Sequence, residues 1–465
     1  MESLSQRLAE FAHDLVFDAL PDDVVEHVKL LVLDAAGLCL AARDEDFIRP
    51  VLEVVEELGG PPESRPLGIA RAMPAPSAAL VGGALIHGLD FDDSHAGSTI
   101  HTSSSVVPVA LALGELQRRP GPDVLMAIAV GLEVNARIGL GAGDGFHRRG
   151  FHPTGVCGCL AASVTAGRLL GLEATSIAQA MGISGSMAGG LREAYLGGDT
   201  WTKRLHPGWA GHAGIIAARL AARGFSGPEH VLDGRFGLYN AMLGSGNWDA
   251  SRVLHGLGET WEIRRIGFKP YPCGVVIHPF LDALEALMVE HGLRGDEIAR
   301  MHCRVAPGAL ETVCEPVGEK LRPASEYQAK FSLQFCLAAL ALRGTIDIDT
   351  FRPETARDPA ILDLAARVSC APDPSQPYPR RHTAELQLTT HDARSFSRSE
   401  AGNRGGPDMP MTSDEVRHKF RANAARSLPA ERVQALEQSI LALESLPDTR
   451  RILECALPAA ALSQR

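Results

Sequence analysis

Lysine is almost missing from this 465-residue chain: of its 45 basic residues only Lys29, Lys203, Lys269, Lys320, Lys330 and Lys419 are not arginine. A compact ammonium does what a planar guanidinium cannot, so some of these survivors are expected to mark sites that need a point charge. Excess positive charge is also lacking. A formal net charge of −11 argues against general nucleic-acid binding and leaves any attraction for an anionic ligand to a local cluster. No CxxC occurs among the nine cysteines, whose closest pair is Cys157 and Cys159, so neither structural zinc nor a simple iron–sulfur centre is expected. Reduced thiols and a cytoplasmic location are the simplest expectation. No apolar run reaches the roughly 18 uninterrupted residues of a membrane span, and the first twelve residues lack a signal-peptide core. Nucleotide-binding signatures are missing as well: there is no Walker motif, no GxGxxG in a strand–turn–helix setting, and residues 182–186 do not form a GxSxG elbow.

What is present is mostly helical pattern. Up to about Arg265 the spacing predicts helices over residues 27–42, 106–117, 124–140, 155–170, 177–190 and 212–224, with loops at 141–154 and 197–208. A smaller α+β segment follows. It has predicted helices at 275–290 and 328–342, an alternating stretch at 300–306, and another at 382–390 with Ala384, Leu386 and Leu388 on one face. Residues 398–410 read as a Gly/Pro linker. Thr412-Ser-Asp-Glu415 fits a capping box opening a tail helix to about Ala424, and a second helix is expected over 428–446. The expected organisation is a large helical domain from residues 1–265 and 401–465 with a smaller α+β lid domain at 266–400.

Five clusters carry polar chemistry. Leu89-Asp-Phe-Asp-Asp-Ser-His95, with His101 close behind, follows the small apolar run 78–85, so its carboxylates and imidazoles lie where a buried helix ends. Burial and close neighbours bring such groups towards neutral pKa values, as proton transfer requires. An acidic, solvated helix end is the plain alternative, and a metal on Asp92, Asp93, His95 and His101 is possible by residue type, although the spacing is not diagnostic. His152 precedes a helix start, whose free N–H groups suit a carboxylate. The stretch Gly198-Asp-Thr-Trp-Thr-Lys-Arg-Leu-His-Pro-Gly-Trp-Ala210 sets Lys203 and Arg204 between two tryptophans that exclude water. Phe268-Lys-Pro-Tyr-Pro272 stiffens the backbone beside Lys269 and Tyr271. Tyr327 and Lys330 fall on a helix, where an ordinary helix surface is the better explanation of them.

Taken together these motifs resemble the MmgE/PrpD family, as do Gly150-Phe-His-Pro-Thr-Gly155, Ala329-Lys-Phe-Ser-Leu333 and Met411-Thr-Ser-Asp-Glu-Val-Arg-His-Lys-Phe420. The resemblance implies a mainly α fold, a large helical domain with a smaller α+β lid, a homodimer, and catalysis without metal or other cofactor. It implies that Asp90, His101, His152, Lys203 and Lys269 surround one anionic pocket, with Ser94, His95, Arg204 and Tyr271 as further substrate contacts. Ser94 stands where relatives often carry Thr, Thr102 where Pro is common, and Phe335 where some use Tyr.

The shared chemistry of such enzymes is a carbanion or enolate beside a carboxylate, which needs preorganised positive charge. Lys203 and Lys269 are assigned to that charge, His152 to a substrate carboxylate, His101 to proton transfer and Asp90 to orienting it. A cofactor-independent hydro-lyase acting on a di- or tricarboxylate, nearest to 2-methylcitrate dehydration, is the leading expectation. The alternatives are decarboxylation of the cis-aconitate type, epimerisation of the iminodisuccinate type, and a catalytically silent carboxylate-binding protein. Neither nucleic acid nor membrane is an expected partner.

Overall fold

Small, apolar runs without alternation become helices here, and helix takes up 58% of the chain. The computed structural model describes residues 2–95, 97–196, 200–378 and 381–457. Ala96, between His95 and His101, and Gly198 and Asp199, within a motif quoted above, lie outside the described residues. The chain divides into two compact units: residues 1–193, 201–268 and 412–465 form the first, and residues 194–200 and 269–411 the second.

The first unit is a stack of helices, principally Asp22–Ala42, Ala75–His87, Ser103–Gln117, Gly121–Ala142, Pro153–Leu169, Ala174–Gly185 and Thr202–Ala221. Helix Ala75–His87 is buried at all thirteen positions, as its uniformly small and apolar composition requires. Gly121–Ala142 is long and apolar enough to cross a membrane, but 94% of its apolar window is buried inside the protein, which makes it a core helix. Two tail helices, Ser413–Ala424 and Ala430–Leu441, belong to the same unit. Thr412 and Glu415 form the expected capping box. A two-residue ribbon pairs Ser94–His95 antiparallel with Ile266–Gly267.

In the second unit a four-stranded sheet runs in the order Val368–Pro372, Ile298–Val305, Ala384–Thr390, Ser395–Glu400, with the first pair parallel and the others antiparallel. Ala384, Leu386 and Leu388 are buried while Glu385 and Gln387 are exposed, so alternation set the face of that strand. The buried residues join helices His278–His291 and Leu333–Arg343 in one core, in which Phe335 is fully buried.

Three expectations need correction. Thr202–Ala221 starts ten residues before the predicted helix, so the Lys203 motif is a helix start and not a loop. The predicted helix 328–342 is two, Glu326–Lys330 and Leu333–Arg343, because Ser332 adopts an extended backbone and its hydroxyl caps the second by accepting from Phe335 N–H at 3.0 Å. Finally, strand Ser395–Glu400 occupies the start of the expected linker, its backbone paired against Ala384–Thr390.

Candidate active site

Glycines let three helices approach closely enough to bring their ends together. A Cβ on Gly83 would lie 2.5 Å from Gly208 Cα, and one on Gly208 would lie 2.2 Å from the Leu80 carbonyl oxygen. No side chain fits at that crossing, so helices Ala75–His87 and Thr202–Ala221 touch backbone to backbone. Gly158 and Gly214 play the same part for helix Pro153–Leu169, where added Cβ atoms would meet Ser105 and Ala162 respectively. The C-terminal end of one helix thereby meets the N-terminal ends of others, and His87, His152 and Lys203 stand at those ends. Helix N-termini expose N–H groups and positive dipole, a favourable setting for an anion.

Residues 88–102 thread between these ends. Asp90 has φ 55°, a left-handed conformation that costs on the order of 1–3 kcal/mol for a residue with a side chain. Its carboxylate receives a hydrogen bond from Lys203 Nζ at 2.5 Å, and both residues are buried. From below, the tail helix supports the same segment: Lys419 Nζ donates to the Phe91 carbonyl at 2.8 Å and to Asp34 at 3.0 Å.

His101 has a defined tautomer. Its Nδ1 lies 2.9 Å from the Asp93 carbonyl oxygen, which can only accept, so Nδ1 carries a hydrogen and, in the neutral ring, Nε2 the lone pair. Asp92 Oδ1 is 3.2 Å from the same Nδ1, and Asp92 Oδ2 is 2.8 Å from His87 Nδ1. Burial pushes the Asp92 carboxyl up, yet His101 and His87 outweigh it and hold the group well below the carboxylate range. Asp93 moves the other way, to about 6, through burial and the neighbouring Asp92 charge, even though the Thr102 hydroxyl donates to it at 2.5 Å. Adjacent carboxyls with opposed shifts are a common mark of acid–base sites. His101 is 14% exposed at its side chain, whereas His87 and Asp92 are sealed off, so His101 is the member of the trio that a solute can reach.

Further histidines are kept neutral. His152 and His206 share a hydrogen bond between their Nδ1 atoms at 2.9 Å. Burial, then the Lys203 charge, holds His152 well below its usual range and His206 at about 4. Burial, followed by Arg192, brings His147 to about 3. The backbone joins in, because Thr154 Oγ1 in the first turn of Pro153–Leu169 accepts from His101 N–H at 3.1 Å.

His87, Asp92 and His101 offer ligand atoms within 4.8 Å of one another and could hold a metal by residue type. His87 Nδ1 is hydrogen-bonded to Asp92 Oδ2 at 2.8 Å, and His101 Nδ1 to the Asp93 carbonyl at 2.9 Å.

Of the residues singled out in the sequence, Asp90, His101, His152 and Lys203 come together in the first unit. Ser94 and His95 sit in the ribbon, and both His95 nitrogens are occupied, by Ser98 Oγ at 2.9 Å and Glu262 at 3.1 Å. Arg204 is buried with its guanidinium 4.4 Å above the Phe47 ring. Lys269 opens the second unit and is buried there. Tyr271, two residues on, donates its hydroxyl to Asp282 at 2.9 Å under the Arg404 guanidinium. Sequence reasoning missed His87, and gave His206 no role although it lies in the Lys203 motif. A histidine ending an otherwise apolar helix was the available signal for the first.

Lysine scarcity has a plain structural counterpart: all six lysines are buried. Lys29 pairs with Glu26 and Glu444, Lys320 donates to the Thr312 and Phe331 carbonyls, and Lys330 faces Glu326.

The chain is mainly helical with a smaller α+β region, and comparison with known proteins places it. Residues 6–251 match the MmgE/PrpD N-terminal domain and residues 271–445 the MmgE/PrpD C-terminal domain. The chain belongs to the MmgE/PrpD family. Among similar proteins are cis-aconitate decarboxylases of Homo sapiens, 29% identical over 96% of this chain and 93% of the relative, and of Mus musculus, 28% identical over 96% and 92%. The cis-aconitate decarboxylase of Aspergillus terreus is 26% identical over 97% of this chain and 95% of its own length.

Proposed function

We propose that this chain is a lyase for a small di- or tricarboxylate, and that it decarboxylates a substrate of the cis-aconitate type. The observation that carries the reading is His101, held as the Nδ1–H tautomer with Nε2 available, among helix N-termini and beside the Asp90–Lys203 pair. Similarity to decarboxylases over nearly the full length favours loss of CO2 over the dehydration expected from the sequence.

In this reading the bond to the departing carboxylate breaks and CO2 leaves. The electron pair remains on an allylic system conjugated with a second carboxylate. Lys203 and the helix N-termini stabilise that charge. His101, protonated from solvent at Nε2, delivers the proton that forms the new C–H bond, and Asp92 at Nδ1 balances the imidazolium meanwhile. His152, neutral, donates or accepts a hydrogen bond at a substrate carboxyl according to the tautomer it shares with His206. Lys269 keeps the role that the resemblance implies for it.

The test is 1H NMR of purified protein with cis-aconitate, 2-methylcitrate and iminodisuccinate in D2O. Decarboxylation gives CO2 and a product carrying one solvent deuterium. Water loss from 2-methylcitrate without turnover of cis-aconitate would return the assignment to dehydration. Deuterium washed into unchanged iminodisuccinate would make the protein an epimerase, and binding without turnover across the set would make it a silent carboxylate binder.

A further inference from the structure

A short ribbon ties the His152 segment to residues 190–192. Phe151 and Leu191 face each other as an antiparallel bridge, while His152 N–H donates to the Gly190 carbonyl and Arg192 N–H to the Gly150 carbonyl, both at 2.9 Å. Side chains alternate along extended backbone, so His152 and Arg192 leave the ribbon on the face opposite Phe151 and Leu191. Leu191 is 59% exposed and His152 is buried, which makes the face shared by His152 and Arg192 the one turned towards the site. The Arg192 guanidinium is anchored at one corner, where Nη1 donates to the His147 carbonyl at 3.0 Å. Its Nε–H is shut off from water and has no acceptor among the described residues, and among those residues the group pairs with no carboxylate. Burial, followed by the charges of Arg192, His101 and Lys203, keeps the His147 ring neutral, so Arg192 is the fixed charge at this end of the cluster.

From this geometry we infer that Arg192 binds one carboxylate of the substrate, clamping it through Nε and Nη2. The inference rests on the reading of the chain as a carboxylate lyase and names the residue that selects for an additional carboxyl. With Nη1 committed to His147, the guanidinium keeps the edge formed by Nε and Nη2, whose parallel N–H bonds match the two oxygens of a carboxylate. A carboxylate seated there satisfies the buried Nε–H that the protein leaves without an acceptor. The seated group is one that stays in the product. A clamp on the departing carboxylate would stabilise the ion but not the neutral CO2 it becomes, and so would raise the barrier. A lysine at this place would supply charge but not the fork. Arg204, the arginine expected from its motif as a substrate contact, turns its guanidinium to the Phe47 ring, 4.4 Å away.

The experiment is isothermal titration calorimetry of the full-length protein with three saturated acids: tricarballylate, and glutarate and methylsuccinate, each of which lacks one of its carboxyls. Arg192→Met should weaken tricarballylate binding roughly 30- to 300-fold. One of the two dicarboxylates, the one without the clamped group, should bind wild type and Arg192→Met within about twofold of each other. Arg192→Lys, which keeps the charge and loses the fork, should fall between wild type and Arg192→Met for tricarballylate. With cis-aconitate as substrate, KM should rise by the tricarballylate factor while kcat changes little, the pattern of lost uniform binding. Unchanged affinities in Arg192→Met overturn the inference. An equal loss for all three acids overturns it too, because a general disturbance of the pocket has no preference among carboxyls, and so does failure of wild type to bind tricarballylate. Should Arg192→Met fail to fold, Arg192→Lys carries the same comparison across the three acids. Arg192-dependent binding in a protein that turns over no carboxylate would uphold the clamp and refute the lyase reading, whereas turnover with a wild-type KM in Arg192→Met would do the reverse.

Discussion

Gly83→Ala puts the helix crossing under direct test. The added Cβ would sit 2.5 Å from Gly208 Cα, 2.6 Å from Gly208 N and 2.8 Å from the Ser104 carbonyl, against about 3.4 Å for an ordinary contact. All three neighbours are backbone, so relief requires helix Thr202–Ala221 to move by roughly 1 Å. Overpacking of this kind costs about 1–3 kcal/mol. For a unit of this size that is a fall in Tm of several degrees, at roughly 2–4 °C per kcal/mol. The catalytic consequence is larger, because Lys203 begins the displaced helix. A 1 Å error in a charge-stabilising group can cost about 100-fold in rate. Differential scanning calorimetry and kcat/KM for cis-aconitate measure both effects. Gly318→Ala is the control: a Cβ there meets nothing within 4 Å, so Tm should hold or rise slightly. Wild-type Tm and kcat/KM in Gly83→Ala would refute the claim that backbone contact at this crossing places Lys203.

Lys203→Met should abolish turnover and lower stability by about 3–5 kcal/mol in urea unfolding, since it leaves Asp90 buried without its partner. Adding Asp90→Asn should recover much of the stability and none of the activity. Burial holds His87 at about 4, below its ordinary 6.5, so the unfolded chain binds a proton that the native one does not between those values. Its contribution is therefore fully present above pH 6.5 and lost as pH falls towards 4, by up to roughly 3 kcal/mol. Urea midpoints for wild type and His87→Asn across that range should converge as pH falls if the sign is right. Thr102→Val removes the donor at 2.5 Å from Asp93 and should cost about 1–2 kcal/mol at pH 7, where Asp93 is ionised, and less at pH 5.

Much of the site was readable because its chemistry sits at the ends of strongly patterned elements. The apolar run 78–85 announced a buried helix, and the carboxylates and imidazoles after it had to lie at that helix's end. Alternation likewise marked Ala384, Leu386 and Leu388. The start of helix Thr202–Ala221 was hidden for a physical reason. Pro207, Gly208 and Gly211 disfavour helix in isolation, and the element exists because those residues allow close packing on Ala75–His87 and its neighbours. Single-sequence reasoning sees the propensity penalty and not the tertiary contact that overrides it. The hydrogen bond between His87 and Asp92 was hidden likewise, because it depends on which way Asp92, rather than Asp90 or Asp93, turns its carboxylate.

The burial of all six lysines has a use outside catalysis. A protease that cuts only after lysine finds no accessible lysine on the folded chain, and an amine reagent finds no side-chain amine. Both become reporters that stay silent until the protein opens. Four of the six lie in the two terminal-to-core contacts of the first unit or its helix starts and the start of the second, namely Lys29, Lys419, Lys203 and Lys269, while Lys320 and Lys330 report on the interior of the second. The order in which the six become reactive would therefore map how each unit comes apart, without a single engineered label.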